Sequence, residues 1–215
     1  MKTKGTGLVI LVFLLLFFMS PLPWTLFFNL TNLKHREVKL YELNSPALIE
    51  SINTERGEAR QAGLDLIGRV FINKFTYLAK DAGQRYLESF DPHFLFSQGD
   101  LSIEKSTQTA GPLYWVLLPF LIYGFYLCYK KFPRVFFLVL LLPVLGIFFQ
   151  EEYETFSRLP FVVGLYFVVA LGVVNFFEKK EFLWIKGLVL ILLVFEYSRF
   201  LHFLILHYPY LIGRY

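Results

Sequence analysis

The stretch Tyr86–Tyr129, YLESFDPHFLFSQGDLSIEKSTQTAGPLYWVLLPFLIYGFYLCY, decides how the rest of the chain is read. Its first half is polar and punctuated, with Asp91-Pro92 ending a helix and Gly99-Asp100 making a turn. Its second half, from Pro112 to Tyr129, carries no charged residue and predicts a membrane-spanning helix. A shaped loop therefore runs directly into a bilayer, where a protein meets lipids, lipid-linked substrates or partner helices.

Composition agrees with that reading. The chain is 56% hydrophobic and holds 26 Phe in 215 residues, more apolar surface than a soluble domain of this length needs. The formal charge of +4 does not point to nucleic acid, because much of the basic excess flanks apolar runs. Cys128 is the only cysteine, so no internal disulfide is possible, and its place in a predicted span marks it as a small apolar packing residue.

Five apolar stretches are long enough to consider: Gly7–Phe28, Pro112–Tyr129, Val135–Phe149, Phe161–Phe177 and Leu183–His207. The first follows Lys2 and Lys4 and has no Ala-x-Ala site after it, which favours an uncleaved signal anchor over a cleaved signal peptide. The third and fourth are short for a bilayer core needing roughly 20 residues and must borrow flanking aromatics or thin the membrane locally. The expected fold is an all-α integral membrane protein of about five transmembrane helices, with a helical extracytoplasmic segment between the first and second. Residues 1–28 form the anchor, 29–111 the extracytoplasmic part and 112–215 a four-helix transmembrane region. Lys2 and Lys4, then Lys130, Lys131 and Arg134, then Lys179 and Lys180 recur on alternate crossings. Glu151, Glu152, Glu154 and Arg158 lie on the other side. The positive-inside rule thus predicts a multi-pass protein of the cytoplasmic membrane, with a cytoplasmic N-terminus and with residues 29–111 and the C-terminus outside.

The long connection after the first span has its own helical signals. Ser45-Pro46 reads as an N-cap with proline at the first helical position, opening a helix to about Arg60. From Asp65 to Phe90, Ile67, Phe71, Phe75, Leu78, Ala82 and Tyr86 recur at helical intervals, with Arg69, Asn73, Lys80 and Gln84 on the other side. Such a helix either packs on its neighbour or lies along the membrane surface. The sequon Asn29-Leu30-Thr31 abuts the membrane exit and reads as chance.

Four constellations carry candidate chemistry. Asp91 and His93, with Asp100 and Glu104, offer carboxylates and an imidazole near the bilayer, able to move a proton. Asp91 and Asp100 are the candidate catalytic bases, although the same residues equally serve as helix-end and turn caps. The spacing does not make a metal site, and no metal or cofactor is expected. Arg56 and Arg60, in Glu55-Arg56-Gly57-Glu58-Ala59-Arg60, either grip a phosphate or form local ion pairs on a solvated face. Glu196, Arg199 and His202 share one face of the last span; they either neutralise one another or form a pocket for a phosphate-bearing lipid, helped by His207. The binding candidates are therefore Arg56, His93, Arg199 and His202. Tyr114, Trp115, Trp184, Tyr208 and Tyr210 are expected to be interfacial anchors. P-loop, Gly-x-Gly-x-x-Gly, nucleophile-elbow and zinc motifs are absent.

Ile52–Tyr129 resembles the late extracytoplasmic loop and following helix of bacterial GT-C type membrane glycosyltransferases, the protein mannosyltransferase and aminoarabinose transferase group. The resemblance rests on Tyr86-Leu87-Glu88-Ser89-Phe90, Phe94-Leu95-Phe96, Gly99-Asp100 and Gly111-Pro112-Leu113-Tyr114. Arg56-Gly57-Glu58, Asn73-Lys74 and the distant His207-Tyr208-Pro209 add to it. Such enzymes use a polyprenyl-phosphate sugar as donor and carry a catalytic acid in their first external loop. Here NLTNLKHREVKLYELN, after the first span, lacks an adjacent acidic pair. The resemblance therefore implies a non-catalytic or partner-dependent module, a separately encoded C-terminal part, binding a lipid-linked sugar, an acceptor or a larger membrane glycosyltransferase. The alternatives are a minimal stand-alone glycosyltransferase using Asp91 or Asp100 as base, and a small transporter component. Against the last, the spans hold few polar residues beyond Asn175, Lys186 and the Glu196 region.

Overall fold

The structure, a computed structural model, describes residues 3–31, 46–100, 106–147, 155, 157–179, 181 and 183–208. Among them all regular structure is helical. Ser45, Glu104, Glu151, Glu152, Glu154, Lys180 and Tyr210 lie outside the described residues.

Prolines divide the first apolar stretch in two. Helix α1 (Thr3–Phe18) ends before Pro21, and α2 (Leu22–Thr31) begins after it, where a single anchor helix was expected. Pro21 has no N–H to give and its ring clashes with the preceding turn. Ser20 organises the break: its hydroxyl donates to the Phe17 carbonyl at 2.7 Å and accepts from the Leu22 N–H at 3.3 Å. The Met19 carbonyl accepts from the Tyr114 hydroxyl at 2.9 Å.

Helix α3 (Pro46–Gln61) opens on the proline that predicted it. The long helix expected over 65–90 is instead α4 (Asp65–Phe71) and α5 (Lys74–Glu88). Asn73 makes the break, its Oδ1 accepting from the Thr76 N–H at 3.0 Å while its amide donates to the Val70 carbonyl at 2.7 Å. A short amide side chain competes with the backbone in this way and prefers a cap to a helix interior. A π-helical turn, His93–Gln98, then buries Phe94, Leu95 and Phe96. The 3₁₀ turn Trp115–Leu117 leads into α6 (Leu118–Lys131). Helices α7 (Pro133–Leu141), α8 (Pro143–Ile147), α9 (Leu159–Glu178) and α10 (Leu183–His202) follow, the last continuing as a π turn to His207.

Helix α9 is the centre of the fold, flanked by α1 and α6. Phe161, Val162, Tyr166, Val168, Val169 and Ala170 are wholly buried. At its crossing with α6 two glycines bring backbone against backbone. A Cβ on Gly124 would run into the Val168 carbonyl, and one on Gly172 into the Phe120 carbonyl. Small residues serve membrane helices in this way, because close approach gains dispersion contact where lipid offers no hydrophobic gain. The buried Tyr166 ring meets Phe17 edge-on, and its hydroxyl donates to the Pro112 carbonyl.

The two ends of this bundle differ in chemistry. Val9, Cys128, Leu171 and Val174 form a small apolar cluster at one end, so Cys128 packs as expected. Beside it Lys131 donates to Asn175 at 3.1 Å, Lys130 to the Tyr126 hydroxyl at 3.0 Å, and Lys179 lies over the Tyr123 ring. Lys186, which its sequence position makes an intramembrane polar residue, reaches back to the carbonyls of Phe177 and Lys179 and caps α9.

Among the described residues two helices are long and apolar enough to cross a membrane, Leu159–Glu178 and Leu183–His207. The first is largely packed inside the protein, while the second presents Ile191, Val194, Phe195 and Ile205 outward, a surface suited to lipid. Gly7–Phe18 and Pro133–Ile147 are shorter, the latter broken before Pro143, so helix length does not by itself supply five spans. Trp115 and Trp184 are exposed as anchors should be, but Tyr114 and Tyr208 are buried. Tyr114 serves the α1–α2 break and not an interface, because an unpaired carbonyl in an apolar setting needs a donor.

The glycine crossing yields a direct test. Gly124→Ala and Gly172→Ala should each lower thermal stability in detergent, by about 1–3 kcal/mol of overpacking. Gly187→Ala, where a Cβ meets nothing within 4 Å, should leave the melting temperature unchanged or slightly raised. Equal behaviour of all three variants in a size-exclusion thermostability assay would remove the crossing as a packing determinant.

Candidate functional site

Helices α3 and α4 border a basic cavity. Ala59 on α3 and Gly68 on α4 let the two helices meet closely, since a Cβ at Gly68 would lie 2.9 Å from that of Ala59. Beside this contact opens a cavity of ≈ 330 Å³ lined by Asn53, Arg56, Gly57, Arg60, Asp65, Gly68 and Arg69. Arg56 is held by its Nε, which donates to the Ile72 carbonyl at 2.6 Å and so caps the end of α4. Arg69 pairs with Asp65 one turn back at 2.7 Å, an exposed pair that adds little stability. Three guanidiniums therefore face one carboxylate in a solvent-open hollow, an arrangement that suits a phosphate or another oxyanion.

The pairing of Arg56 with Arg60 was legible in the sequence from their spacing. Arg69 was not, because on one continuous helix it belongs to a generic polar face. The break at Asn73 and the close α3–α4 contact turn it toward the cavity.

The two candidate carboxylates each hold local structure. Asp91 Oδ1 accepts from the His93 N–H at 2.9 Å, turning the chain into the π segment, and the His93 side chain is exposed. Asp100 is buried, and its Oδ1 accepts from the Thr155 N–H, joining loops far apart in sequence. Among the described residues no three His, Cys, Asp or Glu side chains gather as metal ligands would.

Leu95 and Phe96 pack with Gly111, Leu113 and Trp115 into one knot. Gly111 lies against the Leu95 backbone, where any Cβ would collide, and the Leu113 N–H donates to the Leu95 carbonyl at 2.8 Å. Gly99 adopts φ 70°, a left-handed conformation that favours glycine. Phe96 stacks near Trp115 with ring centroids 5.0 Å apart. Arg158 completes the knot from the head of α9, a residue the sequence showed only as a charge in an acidic loop. It is 4% exposed, bonds Glu88 at 3.3 Å and lies 5.0 Å from the Phe94 ring centroid. A cation at a helix N-terminus opposes the dipole, so the carboxylate and the ring face are what hold it there.

Arg199 and His202 lie elsewhere. Both are exposed on α10, and His202 meets His207 ring to ring at 5.5 Å. Neither lines the arginine cavity. Glu196 Oε2 is buried without a hydrogen-bond partner.

No protein-family model, no curated protein and no solved structure matches the chain.

The buried pair makes a prediction of its own. Arg158→Ala should strip Glu88 of its partner and cost about 3–5 kcal/mol of stability, whereas joint replacement by Glu88→Leu and Arg158→Met should recover much of that loss. A double variant as unstable as the single one, by thermal unfolding in detergent, would show that the pair is not the source of the effect.

Proposed function

We propose that this protein is a multi-pass module of the cytoplasmic membrane that binds a phosphate-bearing lipid of the polyprenyl-phosphate-sugar kind. It acts with a larger membrane glycosyltransferase that supplies the catalytic acid. The observation carrying this reading is the cavity of Arg56, Arg60 and Arg69, which offers several guanidinium donors to an oxyanion from outside the apolar bundle. The resemblance of Ile52–Tyr129 to the glycosyltransferase loop supports the choice of lipid. The structural duties of Asp91 and Asp100 support a role without catalysis of its own. The clustering of Lys130, Lys131 and Lys179 near one end supports an orientation with that end in the cytoplasm and α3–α5 outside. In this reading α1, α6 and the α7–α8 pair accompany the two longer helices through the bilayer.

The cavity is tested by binding of undecaprenyl phosphate to purified protein, followed by native mass spectrometry. Arg56→Ala with Arg60→Ala should weaken binding by tenfold or more, since each charge-assisted hydrogen bond contributes about 1.5–3 kcal/mol. Arg199→Ala should bind as the parent does. Undiminished binding by the double variant would abandon the cavity. Sugar transfer by the purified protein alone would instead favour a self-contained enzyme.

A further inference from the structure

The apolar stripe expected along one helix is divided between two surroundings. Its later members, Leu78, Ala82 and Tyr86, are half-buried on α5, which packs against α8. The Tyr86 hydroxyl donates to the Leu140 carbonyl of α7 at 3.1 Å, fixing this end of α5 to the α7–α8 pair. Its earlier members, Phe71 and Phe75, meet nothing comparable. With Leu66 and Val70 on α4 they are between 63% and 80% exposed. Four exposed large apolar side chains thus fall within the ten residues from Leu66 to Phe75.

Two observations say what covers them. The first is continuity. The α7–α8 pair against which α5 is fixed also turns Phe137, Leu138, Leu141 and Leu145 outward, between 52% and 64% exposed, so α5 runs from one exposed apolar surface to another. The second is charge. Arg69 alternates with Leu66 and Val70 on α4, Lys74 starts α5, and Arg56 and Arg60 stand behind them across the cavity. An apolar edge rimmed by cations is the pattern of a segment lying in the headgroup layer of an anionic bilayer.

We infer that α4 and the first turn of α5 form a membrane-inserted edge. Leu66, Val70, Phe71 and Phe75 enter the acyl boundary, and the arginines face lipid phosphates. The occupant is the bilayer itself, not a second copy or a soluble partner. The inference uses the same arginines as the lipid-phosphate reading but does not depend on it, because insertion is driven by the apolar side chains.

The single cysteine makes the test clean. In a Cys128→Ser background, a nitroxide is placed by Leu66→Cys, Val70→Cys or Phe75→Cys, with Lys80→Cys on the polar face of α5 as reference. The full chain is reconstituted in nanodiscs of phosphatidylcholine with phosphatidylglycerol, and accessibility to oxygen and to a nickel chelate is read by electron paramagnetic resonance. Labels at 66, 70 and 75 should favour oxygen over nickel several-fold relative to the label at 80. Ratios equal to the reference would overturn the inference by placing the edge in water. Exclusion of both reagents would overturn it by showing that protein covers the edge. Repeating the measurement with Arg56→Ala and Arg60→Ala separates the two readings. Retained oxygen preference alongside lost undecaprenyl phosphate binding gives insertion and carrier recognition separate causes. Loss of preference in that variant would overturn insertion by apolar side chains.

Discussion

Interrupted helices in an apolar setting leave backbone carbonyls without partners, and this fold is organised around giving each of them a donor. An unpaired carbonyl away from water forfeits several kcal/mol, so a break is stable only where a side chain reaches it. Tyr114 reaches the carbonyl freed at Met19, Tyr166 that of Pro112, Lys186 the end of α9, and Arg56 the end of α4. All four of these donors come from a different helix or loop than the acceptor. Satisfying the backbone therefore also fixes how the elements sit against one another. The glycine crossing of α6 and α9 supplies the complementary device, closing backbone against backbone where no polar group needs attention.

That constraint explains what could be read from the sequence. The all-helical character, the α3 start at Pro46 and the packing role of Cys128 follow from local pattern. Hydrophobic periodicity reports which residues leave water but not where a helix changes direction. The stripe from Ile67 to Tyr86 therefore predicts one helix, although Asn73 caps its own backbone and makes two. Gly7–Phe28 predicts one anchor, although Ser20 and Pro21 end it. Tyr114 at a helix end predicts an interfacial anchor, yet the bond that buries it joins residues 95 positions apart. No window of sequence contains such a partner.

The same limit applies to the candidate site. Arg56 and Arg60 lie one turn apart on a single helix, so their common face follows from spacing. Arg69 joins them through the Ala59–Gly68 contact between helices. Asp91 and Asp100 carry the residue type of a general base, but a hydrogen bond of Asp91 shapes its own turn and one of Asp100 ties it to Thr155 in a distant loop. Arg158 carries the opposite lesson. Its loop suggests a solvated charge, and only tertiary structure places it under Phe94 against Glu88.

Helix α5 has a mechanical consequence. It is 15 residues long, roughly 22 Å at the usual helical rise. One end begins beside the exposed phenylalanines, and the other carries Tyr86 and Glu88. Through those two side chains it is tied both to α7 and to the guanidinium heading α9. A continuous helix of that length is a stiff strut. Displacing its outer end therefore loads the two side-chain contacts that reach α7 and the head of α9.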